Sequence, residues 1–291
     1  MTTWRLLPDD GERDPRTNLA REEAIARRVA ADPSAPTPLL RLWRNAPAVV
    51  IGRFQLGAAE ADLAAAATLG APVLRRFTGG GTVWHDPGNL NVSVVLRPED
   101  ALFGADPELR RLPGLYRLVL EPLATAARVL GLAARVTERD LVVERPDGTA
   151  AKLGGVAAWL GGRALLVHGT LLVDADLDAL ARACAGPGAP ADPRWERTKS
   201  RRATVTSVAR ELAGFGRPAP PSAAVDLAVV AAFGATADRP DTWTELELAA
   251  TAHLLADRYA DPAWHADPEP RGDPEHLLDP ERPADSERAG D

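Results

Sequence analysis

Three consecutive glycines at positions 79–81 lie between two segments with the branched apolar character of β-strands. Glycine loses more backbone entropy on folding than any other residue, so this run is typical of a chain that turns tightly or closely approaches a ligand. Arg75 and Arg76 precede it, and a guanidinium can bind an oxyanion through two parallel hydrogen bonds. Bare backbone N–H groups can also point at phosphate oxygens. The stretch therefore predicts a loop that binds an anion, here called the glycine loop (residues 79–81).

The alternative is a tight hairpin with solvated arginines. His85, Asp86, Asn89 and Asn91 follow within a few residues, and a simple hairpin does not need these side chains. The loop is not a P-loop, because no Gly-Lys-Ser/Thr follows. It is not the dinucleotide fingerprint either, since its glycines are contiguous and lead into a strand. The sequence favours a ligand-binding loop of another kind.

A second polar stretch begins at Lys152, in two strand-like segments that are joined by a Gly-Gly turn at 161–162. Gly154 and Gly155 follow the lysine, so its ammonium can reach across bare backbone. His168 interrupts the otherwise apolar second strand. Taken singly, such a lysine is usually solvated and such a histidine is usually a hydrogen-bonded core residue. The pattern alone leaves both roles open.

Length and composition limit the function further. A chain of 291 residues can form one large domain or two. Its net charge of −7 argues against broad nucleic-acid binding. Cys184 is the single cysteine; it excludes an intrachain disulfide and is interpreted as a small buried side chain at a helix end. No apolar run approaches the ~20 residues that cross a bilayer, and no signal-peptide pattern opens the chain. We expect a cytoplasmic protein.

The periodicity of apolar residues predicts a mixture of strands and helices. Strands are expected within residues 1–8, 39–44, 48–52, 72–74, 92–96, 132–136, 141–144 and, as a pair, 152–173. Helices are expected within residues 14–30, 58–69, 115–130, 174–183, 200–212, 221–233 and 244–259. Strict βαβ alternation is absent, which indicates an α+β fold with a mixed, largely antiparallel sheet and packed helices. Proline and acidic residues dominate from Asp261, so residues 261–291 are predicted to be a disordered tail after a folded domain at 1–260.

With these motifs in this order, the chain resembles the lipoate–protein ligase family, within the biotin and lipoate protein ligase superfamily. The resemblance extends over about residues 5–259 and implies a ligase-like catalytic domain at 1–260. It is carried by several short segments in the family's order, namely residues 18–23, 42–45, 50–55, 75–91, 140–141, 152–155 and 168–172.

The resemblance implies a reaction in two steps. Lipoate and ATP give lipoyl-adenylate and pyrophosphate, and the lipoyl group then passes to a lysine of an acceptor protein. The acceptors it implies are the lipoyl domain of a 2-oxoacid dehydrogenase E2 and the glycine-cleavage H protein. The first step brings a carboxylate against the α-phosphate, and these two anions repel each other. Positive groups and backbone donors must therefore hold them together.

The resemblance also assigns residues. Lys152 would contact both the lipoate carboxyl group and the α-phosphate. The adenylate-binding set would be Arg76, Gly79, Gly80, Gly81, Thr82, Val83, Trp84, Asn89, Asp140 and Lys152. The lipoyl-binding set would be Glu22, Trp43, Arg76, Thr78, Gly81, His85, Lys152 and His168. Asp140 is also the expected ligand of Mg²⁺, which prefers carboxylate and phosphate oxygens.

Related octanoyl- and lipoyl-transferases use a cysteine to form a thioester. In one branch that cysteine lies shortly before the position of Lys152, where residues 136–143 contain none. The ligase is therefore favoured, with acyl transfer from a carrier protein as the alternative. A non-catalytic member of the same fold is a third hypothesis. Biotin ligation is a weaker fourth, because its glycine-rich loop pattern differs.

Two features depart from the family pattern. Gly154 stands where many members carry serine, which removes one hydrogen bond near the adenylate. Many single-chain ligases also carry a C-terminal accessory domain, and here only the acidic stretch from Asp261 follows. Because some truncated relatives need a separate small partner for adenylation, an accessory subunit is expected, and the alternative is a chain that has lost full activity.

Overall fold

The computed structural model describes residues 3–188, 203–236 and 240–267. The strands in this part of the chain are β1 (Arg5–Leu7), β2 (Leu39–Trp43), β3 (Ala48–Ile51), β4 (Val73–Arg75), β5 (Val83–His85), β6 (Asn89–Leu96), β7 (Ala134–Val136), β8 (Asp140–Glu144), β9 (Ala150–Leu160) and β10 (Leu165–Leu172). Seven of them form the main sheet in the order β1-β2-β6-β10-β9-β8-β7. Only the β1–β2 pair in that sheet is parallel.

The remaining strands form a small sheet in the order β4-β3-β5. The glycine loop connects its two outer strands, β4 and β5. Strand β3 pairs in parallel with β4 and antiparallel with β5. The two sheets together confirm the predicted α+β fold with a mixed, largely antiparallel sheet. The three-residue strand β5 was not predicted, because so short a segment carries no periodic signal.

The helices are α1 (Pro15–Ala31), α2 (Gly57–Glu60), α3 (Leu63–Thr68), α4 (Ala101–Ala105), α5 (Leu112–Val129), α6 (Leu177–Ala183), α7 (Val208–Gly214), α8 (Ser222–Ala232), α9 (Glu245–Leu254) and α10 (Pro262–His265). A 3₁₀ turn lies at Pro107–Arg110 and a π-helical turn at Leu255–Tyr259. The single helix predicted within 58–69 is instead two short helices. Asp62 ends the first, because its side chain accepts a hydrogen bond from the Ala65 amide as the N-cap of the second.

Alternation along the central strands sorts residues between the two faces of the main sheet. On β6, Leu90, Val92 and Val94 belong to the cluster that packs against α5. The intervening Asn91 and Ser93 lie on the opposite face and are nonetheless buried. A strand with buried polar residues on one face needs hydrogen-bond partners there. This face is where the candidate site lies.

The C-terminal boundary of the folded part differs from the prediction. Residues 261–267 form α10 and the turn after it, and α10 contacts β4. The disordered tail predicted from Asp261 is therefore wrong for these residues, and residues 268–291 lie outside the described residues. Trp264 joins two hydrophobic clusters, a long-range contact that the acidic composition of the segment conceals. None of the helices described is both long and apolar enough to cross a membrane.

Leu123 tests the packing of α5 on the main sheet. It is fully buried in the cluster between them, so Leu123→Ala should lower the free energy of unfolding by about 2–5 kcal/mol. Val129 lies at the end of the same helix and is 72% exposed, so Val129→Ala should change it by less than about 0.5 kcal/mol. Urea denaturation followed by circular dichroism measures both. Equal effects would contradict the assignment of this helix face to the core.

Candidate functional site

A cavity of about 160 Å³ lies between the glycine loop and the polar face of the main sheet. The glycine loop and β5 contribute Gly80, Gly81, Thr82, Val83 and His85 to its lining, and β6, β8, β9 and β10 contribute Asn91, Asp140, Lys152, Gly155, Val156, Ala157, His168, Gly169 and Thr170. The remaining lining residues are Leu19, Trp43, Val50, Arg76, Tyr116 and Arg139. Two distant polar stretches of the sequence thus line one cavity.

Strand register aligns the polar residues of the cavity floor. Arg41 pairs with Ser93 across β2 and β6, and Ser93 pairs with His168 across β6 and β10. Ala157 continues the same row on β9. Because residues in register share one face of a sheet, these side chains meet on the cavity side.

Glu22 is the centre of the hydrogen-bond network on this floor. It is fully buried, and its Oε1 lies 2.9 Å from Nδ1 of His168 and accepts a 2.6 Å hydrogen bond from the Ser93 hydroxyl. Trp43 donates its indole N–H to Ser93 Oγ at 2.9 Å. His168 Nε2 lies 3.0 Å from Oγ1 of Thr78. The network therefore ties a helix and three strands to the residue just before the glycine loop.

The charge of Glu22 is retained in this setting. Burial raises the pKa of its carboxyl group, but the charge of His168 and the hydrogen bonds from His168 and Ser93 outweigh burial, so the net shift is downward. Glu22 was expected to line or support the lipoyl pocket. It is absent from the residues that line the cavity and contacts His168, which does line it.

His85 is a neutral donor at the cavity wall. Asn18 donates to Oδ1 of Asn45 at 2.9 Å, so the amide nitrogen of Asn45 faces Nδ1 of His85 at 2.9 Å. Nδ1 therefore accepts, and the ring proton lies on Nε2. Burial, followed by the nearby Arg76 charge, lowers the pKa of His85 to about 3.

The buried Arg76 fixes the shape of the glycine loop. Its Nη2 donates to the carbonyl oxygens of Gly79 at 2.6 Å and Gly81 at 2.8 Å, and its Nε donates to Oγ1 of Thr78 at 2.9 Å. Burial lowers the pKa of this guanidinium to about 10, against the opposing effect of Glu22. Its hydrogen bonds thus go to the loop, to the adjacent Thr78 and, at 3.3 Å, to the Val50 carbonyl, so Arg76 supports the loop from behind in this structure.

The amide N–H groups of the glycine loop differ from its carbonyl groups in their hydrogen bonding. Among the described residues, the N–H groups of Gly79, Gly80 and Gly81 have no hydrogen-bond acceptor. Gly80 has a φ of +88°, which a side chain would strain. An added Cβ at Gly80 would also lie 2.7 Å from Cβ of Ala157. The loop is therefore a set of unpaired donors close against the sheet, as the anion-binding interpretation requires.

Lys152 forms a 2.6 Å ion pair with Asp140 at the cavity wall. Gly155 leaves room for the pair, since an added Cβ there would lie 3.1 Å from Nζ of Lys152, closer than most real Cβ contacts, and 3.6 Å from Oδ1 of Asp140. The prediction that the ammonium reaches across bare backbone is confirmed. A register irregularity between Leu141 and Val142 falls beside this position, and bulges of this kind often re-aim side chains next to active sites.

The backbone of Lys152 is held by a segment whose role the sequence did not reveal. Its N–H donates to the Thr204 carbonyl at 2.8 Å, and its carbonyl accepts from Thr206 N–H at 2.9 Å. Glu211 accepts a 2.6 Å hydrogen bond from the Thr206 hydroxyl and pairs with Arg145 at 2.6 Å. The contacts of this segment with Lys152 and Arg145 join positions more than fifty residues apart, beyond the reach of local patterns.

Gly154 is glycine for a steric reason. An added Cβ would lie 1.8 Å from the carbonyl oxygen of Thr170 on the neighbouring strand. A serine here would require the two strands to move apart. Glycine in place of serine at position 154 therefore fits the close packing of β9 against β10.

The remaining predicted site residues lie outside the cavity lining. Thr78, Gly79, Trp84 and Asn89 are not among the residues that line the cavity. Trp84 packs in a hydrophobic cluster behind β5, and its indole donates to Asp86 at 2.7 Å. Asn89 donates to the Trp84 carbonyl at 3.4 Å, while its Oδ1 has no partner among the described residues. Trp84 and Asn89 as nucleotide contacts stay predictions.

Arg75 differs from its predicted anion-binding role. It is buried, and Nη1 donates to the carbonyls of Gly52 at 3.2 Å, Arg53 at 3.1 Å and Gln55 at 2.6 Å. Its carboxylate partner is Asp267 of the same chain at 3.0 Å. The arginine pair before the glycines thus stabilises the fold around the loop.

Sequence reasoning missed several lining residues, among them Leu19, Val50, Tyr116, Arg139 and Thr170. Tyr116 lies on α5, where its apolar periodicity marks it only as a core position. For metal binding, the described residues contain no group of three or more His, Cys, Asp or Glu side chains that could hold an ion. Asp140 offers one carboxylate, which fits Mg²⁺ only where phosphate oxygens supply other ligands.

A second cavity, of about 660 Å³, lies beside Trp84, Asp86 and Pro221. It is larger, but its arginine, Arg44, is already paired with Asp9 at 2.8 Å and Asp226 at 2.6 Å. Asp86 accepts from Trp84 and from the amides of Gly88 and Asp176. Arg44 and Asp86 are thus satisfied by protein groups, so the smaller cavity with unpaired amides is the better candidate site.

Comparison with known proteins identifies the family of this chain. Residues 14–234 match the lipoyl protein ligase A/B catalytic domain. The chain belongs to this family. Lipoate-protein ligase A subunit 1 of Thermoplasma acidophilum is 30% identical over 271 residues, which cover 90% of this chain and 95% of the relative. The resemblance inferred from the sequence is confirmed.

Solved structures of lipoate ligases share the fold. A bipartite lipoate protein ligase from Thermoplasma acidophilum, studied with its E2 lipoyl domain, has a TM-score of 0.71 at 28% identity and covers 91% of this chain and 96% of its own. A structure from the same organism with bound lipoic acid has a TM-score of 0.69 at 27% identity, covering 91% and 99%. A lipoate-protein ligase A bound with ATP also has a TM-score of 0.69 at 27% identity, covering 91% and 98%.

The neutral state of His85 predicts a pH dependence of stability. Its pKa is about 3 when folded and about 6.5 when unfolded. Below pH ~6.5 the unfolded ligase therefore binds a proton that the folded ligase does not, and stability falls as the pH falls towards 3. This group alone contributes a slope of up to about 1.4 kcal/mol per pH unit.

Urea denaturation of wild type and His85→Gln at pH 7, 6, 5 and 4.5 measures this slope. The variant should show a shallower dependence on pH. A histidine ¹³C or ¹⁵N titration of the wild type should find His85 neutral at pH 5. Equal slopes, together with a ring that is protonated at pH 5, would contradict the assignment.

Proposed function

We propose that this chain is an ATP-dependent lipoate–protein ligase, which forms lipoyl-adenylate and transfers the lipoyl group to a lysine of an acceptor protein. The observation that carries the proposal is the shared cavity of Lys152 and the glycine loop. An ammonium and a row of unpaired amides are the groups that two mutually repelling anions need in order to meet.

In the first step, a carboxylate oxygen of lipoate attacks the α-phosphorus of ATP, and the bond to pyrophosphate breaks. Lys152 neutralises charge on the two reacting anions, and the glycine-loop amides donate to phosphate oxygens. Asp140 keeps the ammonium in place beforehand through their 2.6 Å ion pair. Such preorganised donors act without reorganisation at the moment of reaction.

In the second step, the acceptor amine attacks the acyl carbon of lipoyl-adenylate, AMP leaves, and the amine loses a proton. No side chain of the ligase becomes covalently attached, because the adenylate is itself the activated species. The cavity supplies an apolar wall for the lipoyl chain from Leu19, Trp43, Val50 and Val156. His85 offers its Nε2–H as a neutral donor at the same wall.

We propose Mg²⁺ as the metal that accompanies ATP, with Asp140 as the protein ligand beside the phosphate oxygens. The ion would reduce the charge on the phosphates. Because Asp140 is paired with Lys152, the carboxylate would serve both partners.

We also propose an E2 lipoyl domain as an acceptor and a separate accessory subunit as a partner. The support is the similarity over nearly full length to subunit 1 of a bipartite ligase that was studied with its E2 lipoyl domain. The glycine-cleavage H protein is a second proposed acceptor, on the family resemblance alone. Cytoplasmic location stays a prediction from the sequence.

The cysteine-dependent transferase has no suitable nucleophile among the described residues. Cys184 packs against the hydrophobic cluster behind β5 and does not line the cavity. Burial, with a smaller effect of Glu60, raises the pKa of its thiol to about 12. A thiol with so little thiolate at neutral pH is a poor nucleophile.

Lys152→Ala should strongly slow adenylate formation. Losing one preorganised donor of this kind reduces the rate by about 10²–10³-fold. Intact mass of an apo E2 lipoyl domain, incubated with the ligase, lipoate and ATP, should increase with wild type only when ATP is present. Arg163→Ala, in the exposed β9–β10 turn, is the matched control and should behave as wild type.

In a second arm of this experiment, synthetic lipoyl-adenylate replaces lipoate and ATP. This arm bypasses any need for an accessory subunit in the first step. Wild-type ligase should then lipoylate the acceptor without ATP. Acceptor modification in neither arm would refute the ligase assignment. Full activity of Lys152→Ala in the first arm would refute the role of the lysine.

Cys184→Ser distinguishes the ligase from the transferase. Because the thiol lies outside the cavity, ATP-dependent lipoylation should stay within about 2-fold of wild type, the spread expected for a substitution outside the site. The same acceptor is incubated with an octanoylated acyl-carrier protein and no ATP, and its mass should not change. A mass increase there that Cys184→Ser eliminates would establish the transferase instead.

A further inference from the structure

The C-terminal segment (residues 259–267) covers the outer edge of β4, the strand that leads into the glycine loop. Trp264 donates its indole N–H to the Arg75 carbonyl at 2.8 Å, and the Arg75 N–H donates to Nδ1 of His265 at 2.9 Å. Since β4 is an edge strand, these side chains occupy the place of a neighbouring strand. Tyr259 packs against Trp264 at a ring-centroid distance of 6.2 Å.

Asp267 ends this segment with contacts to two parts of the fold. One oxygen accepts from Nη2 of Arg75 at 3.0 Å and from the Gly57 amide, and the other accepts from the Ala58 amide at 3.0 Å. The side chain of Asp267 is 29% exposed and that of Arg75 only 4%. Hydrogen bonds of this kind between charged and polar groups are short and strong when partly buried.

Arg75 extends these contacts to the turn after β3. Its Nη1 donates to the carbonyls of Gly52, Arg53 and Gln55. Asp267 therefore holds residues 57–58 directly and residues 52–55 through Arg75. The turn after β3 (residues 52–58) is fixed along its whole length by groups that converge on one carboxylate.

The turn after β3 also contacts and supports the glycine loop. An added Cβ at Gly52 would lie 2.1 Å from the Gly80 carbonyl oxygen, so the two backbones are in direct contact. Gln55 Oε1 accepts from the Gly52 amide at 2.9 Å and from the Thr82 hydroxyl at 3.0 Å. Movement of this turn would displace the loop at both of these contacts.

We propose that Asp267 is a positioning residue for nucleotide binding: through Arg75 and the turn after β3, it holds the glycine loop in the conformation that accepts the ATP phosphates. The proposal rests on the proposed function of that loop. Loss of the carboxylate releases the turn, so the loop spends only a fraction of its time in the binding conformation. Apparent ATP affinity falls by that same fraction.

Asp267→Ala should weaken ATP binding by about 10-fold, which corresponds to a binding-competent fraction of about one tenth. Titration calorimetry with the magnesium salt of ATP measures the dissociation constant for the full-length chain. Asp267→Glu keeps the carboxylate and should restore at least half of the lost affinity on a logarithmic scale. If Asp267 contributed only to overall stability, Asp267→Ala and Asp267→Glu variants with equal melting temperatures would bind ATP equally.

Asp257→Asn is the matched control. This aspartate lies in the same C-terminal region, is 60% exposed and pairs only with the exposed His253 among the described residues. It touches neither Arg75 nor the turn after β3. ATP affinity should stay within about 2-fold of wild type, as for other exposed substitutions.

Hydrogen–deuterium exchange supplies a readout that does not depend on ATP. In Asp267→Ala, peptides that cover residues 52–58 and 76–83 should exchange faster, while peptides from β6 and α5 should be unchanged. Asp267→Asn, which keeps the side-chain shape, should show the same local change if Asp267→Ala proves too unstable to purify.

The two readouts separate the proposal from the function on which it rests. Failure of the wild type to bind ATP would overturn the proposed function, and the exchange pattern would then decide the structural link alone. Unchanged exchange at residues 52–58 and 76–83, or unchanged ATP affinity in an Asp267→Ala variant derived from an ATP-binding wild type, would overturn the positioning role.

Discussion

The buried guanidinium of Arg76 is the interaction on which the site depends. A charge removed from water is costly unless other groups compensate it. Here the compensation comes from the carbonyl oxygens of Gly79 and Gly81, the Thr78 hydroxyl and the nearby charge of Glu22. Because Arg76 engages the carbonyls of Gly79 and Gly81, and the loop amides have no acceptor among the described residues, those amides are the donors available to a ligand.

Arg76 and Lys152 have different positions at the cavity. Arg76 is buried behind the loop and maintains its shape, while Lys152 is partly exposed at the opposite wall, where its side chain is 25% accessible. Lys152 is the more accessible of the two. Gly155 leaves room beside it, since an added Cβ there would lie 3.1 Å from the ammonium nitrogen and 3.6 Å from Oδ1 of Asp140. Arg75 and Arg76 make their hydrogen bonds to other parts of the protein, whereas the ion pair of Lys152 lies at the cavity wall.

Much of this arrangement could be predicted from the sequence, because its signals are local. Alternating apolar residues identified the central strands, and helical periodicity identified α5. The contiguous glycines indicated a loop for close approach, and Lys152 ahead of two glycines indicated an ammonium across bare backbone. Each of these inferences needs only neighbouring residues, which is why the structure confirms them.

The remainder could not be predicted, because it depends on contacts between distant parts of the chain. The partner of Arg75 is nearly two hundred residues away at Asp267. The acidic composition of that region suggested disorder, although one of its acids completes a partly buried ion pair. The segment at residues 203–206, which holds the Lys152 backbone, is also remote from it in sequence. The orientation of an arginine, towards a ligand or towards the protein, is decided by such contacts and not by its neighbours in sequence.

The most direct test is a crystal structure of the protein with a non-hydrolysable lipoyl-adenylate analogue. Our account predicts that the linkage between acyl group and phosphate lies between the Lys152 ammonium and the amides of residues 79–81, with the lipoyl chain against Trp43 and Val50. An analogue bound instead in the larger cavity beside Trp84 and Asp86, or one whose phosphate replacement is remote from Lys152, would contradict it.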